Sequence, residues 1–155
     1  MAVQFARLRG ARTLAAASGE DGMKLVRRLG ALETVDGRSV DILTAIHRFS
    51  PKGADAILAI FGGQLLDRAI GGLRQGGRLA YPNGIEPEPE RRSGIDVIGY
   101  DAVAGSREFD ELGRAVQTIK LQVPIAAEYS LVEAARAHER LAAGHVLGKI
   151  VLRIR

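Results

Sequence analysis

A chain of 155 residues with 46% hydrophobic and 26% charged side chains has the length and balance of one folded domain with its own core. It has no cysteine, which excludes disulfides and thiolate zinc sites within it and fits a reducing compartment, the cytoplasm. The net charge of +4 comes from arginines spread along the chain without interleaved aromatics, which argues against a nucleic-acid surface, and no apolar run reaches the roughly 18 residues of a membrane helix.

Met1 to Arg9 reads as a helix with no capping residue before it. Ala11 to Ala17 is a short apolar strand, and Ser18 with Asp21 predicts the N-cap of a helix that runs to about Leu29 and stops at Gly30. Ala31 to Val35 predicts a second strand. A helix follows from about Ser39 to His47, with Val40, Leu43 and Ile46 turned inward. After the turn Ser50-Pro51-Lys52-Gly53, Ala54 to Ile60 is an apolar run of strand length and predicts a buried strand. Gly62-Gly63 then frees the backbone for a close approach or a positive φ. Leu65, Leu66, Ala69, Ile70 and Leu73 recur at helical spacing, Gly76-Gly77 predicts the end of that helix, and Arg78 to Tyr81 predicts the next strand, turning at Pro82-Asn83-Gly84.

Beyond Gly84 the stretch Glu86-Pro87-Glu88-Pro89-Glu90 can be neither helix nor central strand, because alternating prolines remove backbone donors. Nothing nearby in the sequence would desolvate its carboxylates, so a solvated loop is expected rather than an acid–base site. Gly94 to Tyr100 alternates as a strand, and Arg107 to Leu121 is amphipathic with Phe109, Leu112, Val116 and Ile119 on one stripe. Val123 to Tyr129 starts extended. Ser130 and Glu133 predict a capping box for a helix to about Ala142, with His138 on its inward stripe beside Leu131 and Leu141. Gly144 stops that helix, and Gly148 to Ile154 predicts a closing strand.

Short apolar strands alternating with helices predict an α/β fold, a parallel sheet covered on both faces. In such sheets ligands bind outside the carboxyl ends of the strands, which points to Phe61-Gly62-Gly63 and to the stretch from Pro82 to Ile85. The three histidines are scattered: His47 and His145 fall at helix ends, where an imidazolium favours the dipole, and with no cysteine they make no zinc set. Tyr81 and Tyr100 are expected to pack at strand ends.

Gly62-Gly63 followed by Leu66, Ala69-Ile70, Leu73-Arg74 and Gly76-Gly77-Arg78 resembles the medium-chain dehydrogenase/reductase superfamily. The stretches from Ala134 to Ile154 (AARAHERLAAGHVLGKIVLRI) and from Ala2 to Ser18 resemble its zinc-independent NADPH:quinone oxidoreductase-like branch. The resemblance implies a Rossmann-like, doubly wound sheet, incomplete here. It lacks the family's first strand and glycine-rich phosphate loop, and with them the preceding GroES-like domain. Either a gap or a direct pairing of Ala11–Ala17 with Ala54–Ile60 is then expected. It also implies a partial dinucleotide-binding domain over residues 1–121 and a segment over residues 122–155 that packs toward the GroES-like domain.

Carried over by position, Phe61, Gly62, Gly63, Asn83, Gly84 and Ile85 lie along the nicotinamide end, Ser18 faces the adenosine ribose, and Arg38 meets a phosphate. An acid at the Ser18 position would accept from a ribose 2′-OH, so its absence favours NADPH over NADH, although positions often lysine and tyrosine in NADP-using relatives are Gly22 and Gly37. The implied function is the nucleotide-binding part of a metal-free reductase of quinones or enones. The alternative is a truncated, non-catalytic remnant or interaction module that docks through an exposed sheet edge. Gly94 to Tyr100 is the edge at which relatives commonly form homodimers.

Overall fold

The computed structural model describes residues 1–154, and the side chain of Ile119 lies outside that description. In chain order the elements are α1 (Ala2–Leu8), β1 (Leu14–Ala17), α2 (Gly19–Arg28), β2 (Glu33–Asp36), α3 (Ile42–Phe49), β3 (Ala54–Leu58), α4 (Gln64–Ile70), β4 (Leu73–Pro82), β5 (Ile95–Tyr100), α5 (Ser106–Ile119), β6 (Ile125–Ser130), α6 (Ala134–Ala142) and β7 (Lys149–Arg153). Strand pairing is parallel throughout: β1 with β2, β3 with β4 and β4 with β5, and β6 with β7. The α/β reading holds, and the fold is Rossmann-like.

The β1–β2 and β3–β4–β5 sheets share one side of a common core. Val35 of β2 is buried with Ile42, Ala45 and Ile46 of α3 and Ala69 of α4, and Leu14 of β1 and Ala54 and Ile57 of β3 pack against them. Successive strand side chains point to opposite faces. Leu14 belongs to the α3 side, and Ala16 approaches Leu65 of α4 there, both lying beside Gly37. Ala17 points the other way, and its Cβ lies 3.5 Å from where a Cβ on Gly22 of α2 would stand. Helices therefore cover both faces of this half-sheet.

β1 and β3 do not pair, which settles the expected alternatives in favour of a gap. The consequence is visible on β3. The apolar run was expected to be buried, yet Leu58 is 51% and Ile60 73% exposed, because one edge of this strand has no neighbour. β4 is flanked on both sides and carries the most deeply buried side chain, Leu79, at 0% exposure. It packs with Ala59, Leu66, Ile70 and Tyr81.

Several boundaries move for identifiable reasons. α3 starts at Ile42, not Ser39, because the Asp41 carboxylate accepts the Leu43 N–H at 3.3 Å and the Thr44 hydroxyl at 2.6 Å, which leaves Val40 outside and exposed. α4 ends at Gly71-Gly72 rather than at Gly76-Gly77. Leu73 is already opposite Ala54, and the register jumps from that pair to Ala56 opposite Arg78, so Arg74 to Gly77 form a bulge inside β4. Of the stripe expected to bury α5, Phe109 is 65% exposed and Leu112 is exposed too, while Val116 is half-buried. The helix is tied to α1 instead through residue 122, where Gln4 Nε2 donates to the Gln122 carbonyl at 2.9 Å and Gln4 Oε1 accepts the Gln122 N–H at 2.9 Å.

In the last unit the capping box forms as read. Glu133 Oε2 accepts the Ser130 N–H at 3.1 Å and the Ser130 hydroxyl at 2.8 Å, over a 3-10 turn at Leu131–Glu133. His138 is exposed, as are Leu131 and Leu141, since the small Ala137 is the residue α6 buries.

Candidate functional site

The carboxyl ends of β1 and β2 converge on Gly19, the first residue of α2. It has φ +74°, a left-handed conformation that glycine adopts without strain. Ser18 stands at the N-cap position of α2, but its hydroxyl makes no capping bond. Asp36, at the end of β2, takes that role across the strands: Oδ2 accepts the Gly19 N–H at 3.3 Å. Its other oxygen accepts the Arg38 N–H at 3.0 Å and Arg38 Nε at 3.3 Å. These bonds, led by the one from the Arg38 backbone, hold the Asp36 carboxyl below its ordinary range. Ser18 and Arg38 thus both lie beside Gly19, at the carboxyl ends of β1 and β2. Arg38 Nη2 lies 3.0 Å from the position a Cβ on Gly19 would take.

Gly22 has room for a Cβ at ordinary contact distances, and Gly37 is the tighter of the two. A Cβ on Gly22 would stand 3.5 Å from Ala17 Cβ and 3.9 Å from Leu147 Cδ2. A Cβ on Gly37 would stand 3.2 Å from Leu65 Cδ2. The first turn of α4 therefore abuts the end of β2, which joins the Ser18–Arg38 end to the glycine pair that precedes α4.

At that second end, Gly63 is the N-cap of α4 with φ +88° and open space beside it. Gly62 is closely covered: a Cβ there would lie 2.5 Å from the Pro87 carbonyl oxygen and 2.9 Å from that of Glu86. Phe61 is exposed. The segment after β4 is a loop with Glu86, Glu88 and Glu90 exposed, as expected, and its backbone folds back over the end of β3. Asn83, Gly84 and Ile85 line an open cleft of about 570 Å³ with Tyr81, Glu86, Pro87 and Glu88. The hydroxyl of Tyr81 donates to Glu88 Oε1 at 2.7 Å, a bond that pushes the Tyr81 pKa up.

Three participants escape sequence reading: Asp36, the Tyr81–Glu88 pair, and His145. The last was assigned to a helix end. It lies beyond α6, in the left-handed region at φ 50°, and its Nε2 is 2.8 Å from Asp21 Oδ2 in the first turn of α2. Partners 124 positions apart leave no local signal.

Among the described residues a metal finds no set of ligands. The chain has no cysteine, and among the described residues no group of three or more histidines and carboxylates could hold an ion. A dinucleotide fits better, since Gly63 and Gly84 leave open space at the ends of β3 and β4 and the cation Arg38 stands at the mouth of β1.

Residues 29–152 match the family model described as zinc-binding dehydrogenase. Human quinone oxidoreductase is 28% identical over 97% of the chain, which spans about half the length of that relative, 50%. A crystal structure of an NAD-dependent alcohol dehydrogenase, 31% identical, superposes over 99% of this chain and 47% of its own with a TM-score of 0.83. The quinone oxidoreductase from Coxiella burnetii, 28% identical, does so over 99% and 48%, also at 0.83. The superfamily resemblance read from the glycine pairs and the closing strand is borne out: the chain belongs to the zinc-binding dehydrogenase family.

Proposed function

We propose that this chain is the nucleotide-binding part of an NADPH-dependent, zinc-independent oxidoreductase that reduces quinones or enones by hydride transfer. The observation that carries the reading is the convergence of Ser18 and Arg38 on Gly19 at the mouth of β1, with no carboxylate at the Ser18 position. Relatives named as quinone oxidoreductases favour the substrate class. On this reading Ser18 and Arg38 receive the adenosine 2′-phosphate, Phe61, Gly62 and Gly63 border the path toward the nicotinamide, and Asn83, Gly84 and Ile85 flank its ring. NADH offers Arg38 no phosphate at that position and is the weaker cofactor. The bound nicotinamide supplies the hydride, and the chain's own residues bind it, orient it and exclude water.

A titration of the 155-residue chain with NADPH and NADH, followed by cofactor fluorescence, tests this directly, since the absence of tryptophan keeps protein emission low. Saturable binding, tighter for NADPH, supports the reading. No binding of either up to millimolar concentration overturns it for this chain.

A second reading, an interaction module that binds no cofactor by itself, is favoured by one observation. β5 ends its sheet with an unpaired outer edge on which Ile98 and Tyr100 are exposed. A two-fold axis would pair β5 with its copy in a homodimer. Sedimentation equilibrium reads it: a monomer at all concentrations removes the β5 dimer.

A further inference from the structure

The carboxyl ends of α1, α2 and α5 meet near the amino ends of β1 and β2. The 10 residues of α2 put this place about 15 Å from Gly19, at the opposite ends of the same strands. A groove of about 290 Å³ lies there, and Arg7, Arg28 and Lys120, one cation from each helix end, line it together with Gln4 and Gln122. Its wall is fixed in two ways. The Gln4 side chain donates to the Gln122 carbonyl and accepts the Gln122 N–H, both at 2.9 Å. Arg7 lies along Gly30, where a Cβ would stand 2.8 Å from Arg7 Cδ and 3.5 Å from its Nη1, so the glycine leaves the guanidinium its place. Lys120 holds a left-handed backbone at φ 49°, uncommon for a residue with a side chain.

A cation at the end of a helix ordinarily meets the free carbonyls there. Arg140 and Arg92 do so at the ends of α6 and α4, reaching the Gly144 carbonyl at 2.8 Å and the Asp67 carbonyl at 3.1 Å. Arg7, Arg28 and Lys120 do not: among the described residues none of them donates a side-chain hydrogen bond or joins an ion pair. Three positive charges thus share one groove with no carboxylate among its lining residues, a repulsion that a bound anion relieves. We infer that this groove is a binding site for a compact multivalent anion of phosphate or polycarboxylate type. More than one negative charge is needed, because exposed cations hold a monovalent ion too weakly against water and salt. The volume suits an anion the size of pyrophosphate or citrate. The site is independent of the dinucleotide reading, since it lies at the other ends of β1 and β2.

The test titrates the full chain with pyrophosphate and, separately, with citrate, at an ionic strength held constant with chloride, and follows the amide resonances. The N–H signals of Gly30 and Gln122 and the side-chain amide of Gln4 should shift and saturate below millimolar anion. Saturation by pyrophosphate alone marks the phosphate class, and saturation by citrate alone the polycarboxylate class; either supports the site. Arg28→Gln and Lys120→Asn, the second suited to the left-handed backbone, should each weaken the effective anion about 5- to 10-fold, the scale of one charge-assisted hydrogen bond. Lys149→Gln removes an exposed cation on β7 and should change the affinity less than about twofold. The amide spectrum itself reports whether each variant is folded. Shifts that saturate at Gly19 and spare Gly30 would overturn the site, as would shifts that rise without saturating through the millimolar range. Binding as tight in both Arg28→Gln and Lys120→Asn as in the wild type would overturn it too.

Discussion

The two ends of the candidate crevice are built from different materials. At the mouth of β1 and β2 the geometry rests on side chains: Asp36 holds Arg38 and the Gly19 N–H, and Asp21 holds His145, all near the surface. At the ends of β3 and β4 it rests on backbone: Gly62 under the Pro87 carbonyl, Gly63 in a left-handed turn, and a cleft anchored by a strand whose Leu79 is fully buried. Exposed ion pairs contribute little individually to stability, whereas packed backbone and core groups have no solvent to fall back on. The first end should therefore tolerate substitution in the fold and respond in ligand binding. The second should respond in the fold itself.

The largest expected effect sharpens that contrast. Leu79→Ala, at the centre of the β3–β4–β5 sheet, should cost about 2–5 kcal/mol in urea denaturation, the range for deleting buried methylenes. A cost under about 1 kcal/mol would mean that β4 is not the packed centre of this end. Next comes the glycine pair. Gly62→Ala places a Cβ 2.5 Å from a backbone oxygen and should cost about 1–3 kcal/mol. Gly63→Ala has open space and meets only the φ of +88°, so about 1 kcal/mol is expected. Equal costs at the two positions would break the claim that the Glu86–Pro87 segment lies on β3.

Tyr81→Phe removes the bond to Glu88 and should lower Tm by roughly 2–4 °C without changing the fold. The pH dependence has a definite sign. The neutral Tyr81 hydroxyl donates to Glu88, so its pKa is raised from 10.0 in the folded state. The contribution is complete below pH 10 and is lost as pH rises through the raised value. A Tyr81→Phe protein that loses stability in alkali in parallel with the wild type would overturn this assignment.

The smallest effect in the fold lies at the other end. Asp36→Asn should shift Tm by less than about 2 °C, because Asn can still accept the Gly19 N–H. The Asp36 pKa is lowered from 3.8, so its hold on Arg38 is complete above that value and fades as pH falls through the lowered one. Chemical shifts of the Arg38 Nε–H through an acid titration follow this. Unchanged shifts down to pH 2 would show that Asp36 does not position Arg38.

What the sequence made legible follows from how local each signal is. Ser130 with Glu133 reads as a capping box because both partners lie within one turn. Gly62-Gly63 before Leu66 and Ala69-Ile70 reads as a strand end opening a helix for the same reason. The bulge at Arg74–Gly77 was missed because a glycine pair stops a helix as readily as it interrupts a strand, and only the register against β3 distinguishes them. The buried reading of Ala54 to Ile60 failed because apolar composition gives the strand but not its neighbours.

The alternation of periods in this chain, with glycines at the element ends, was by itself enough to determine an α/β fold with parallel strands and to point to Phe61-Gly62-Gly63 and the stretch from Pro82 to Ile85, while only the superfamily resemblance pointed to Ser18 and Arg38. Tertiary structure alone decided that β1 and β3 stay apart, that Asp36 rather than Ser18 satisfies the start of α2, and that His145 faces Asp21. The physical reason is range. Periodicity and capping act within a turn or two of chain, while hydrogen bonds across 17 or 124 positions exist only once the strands have fixed where their ends lie.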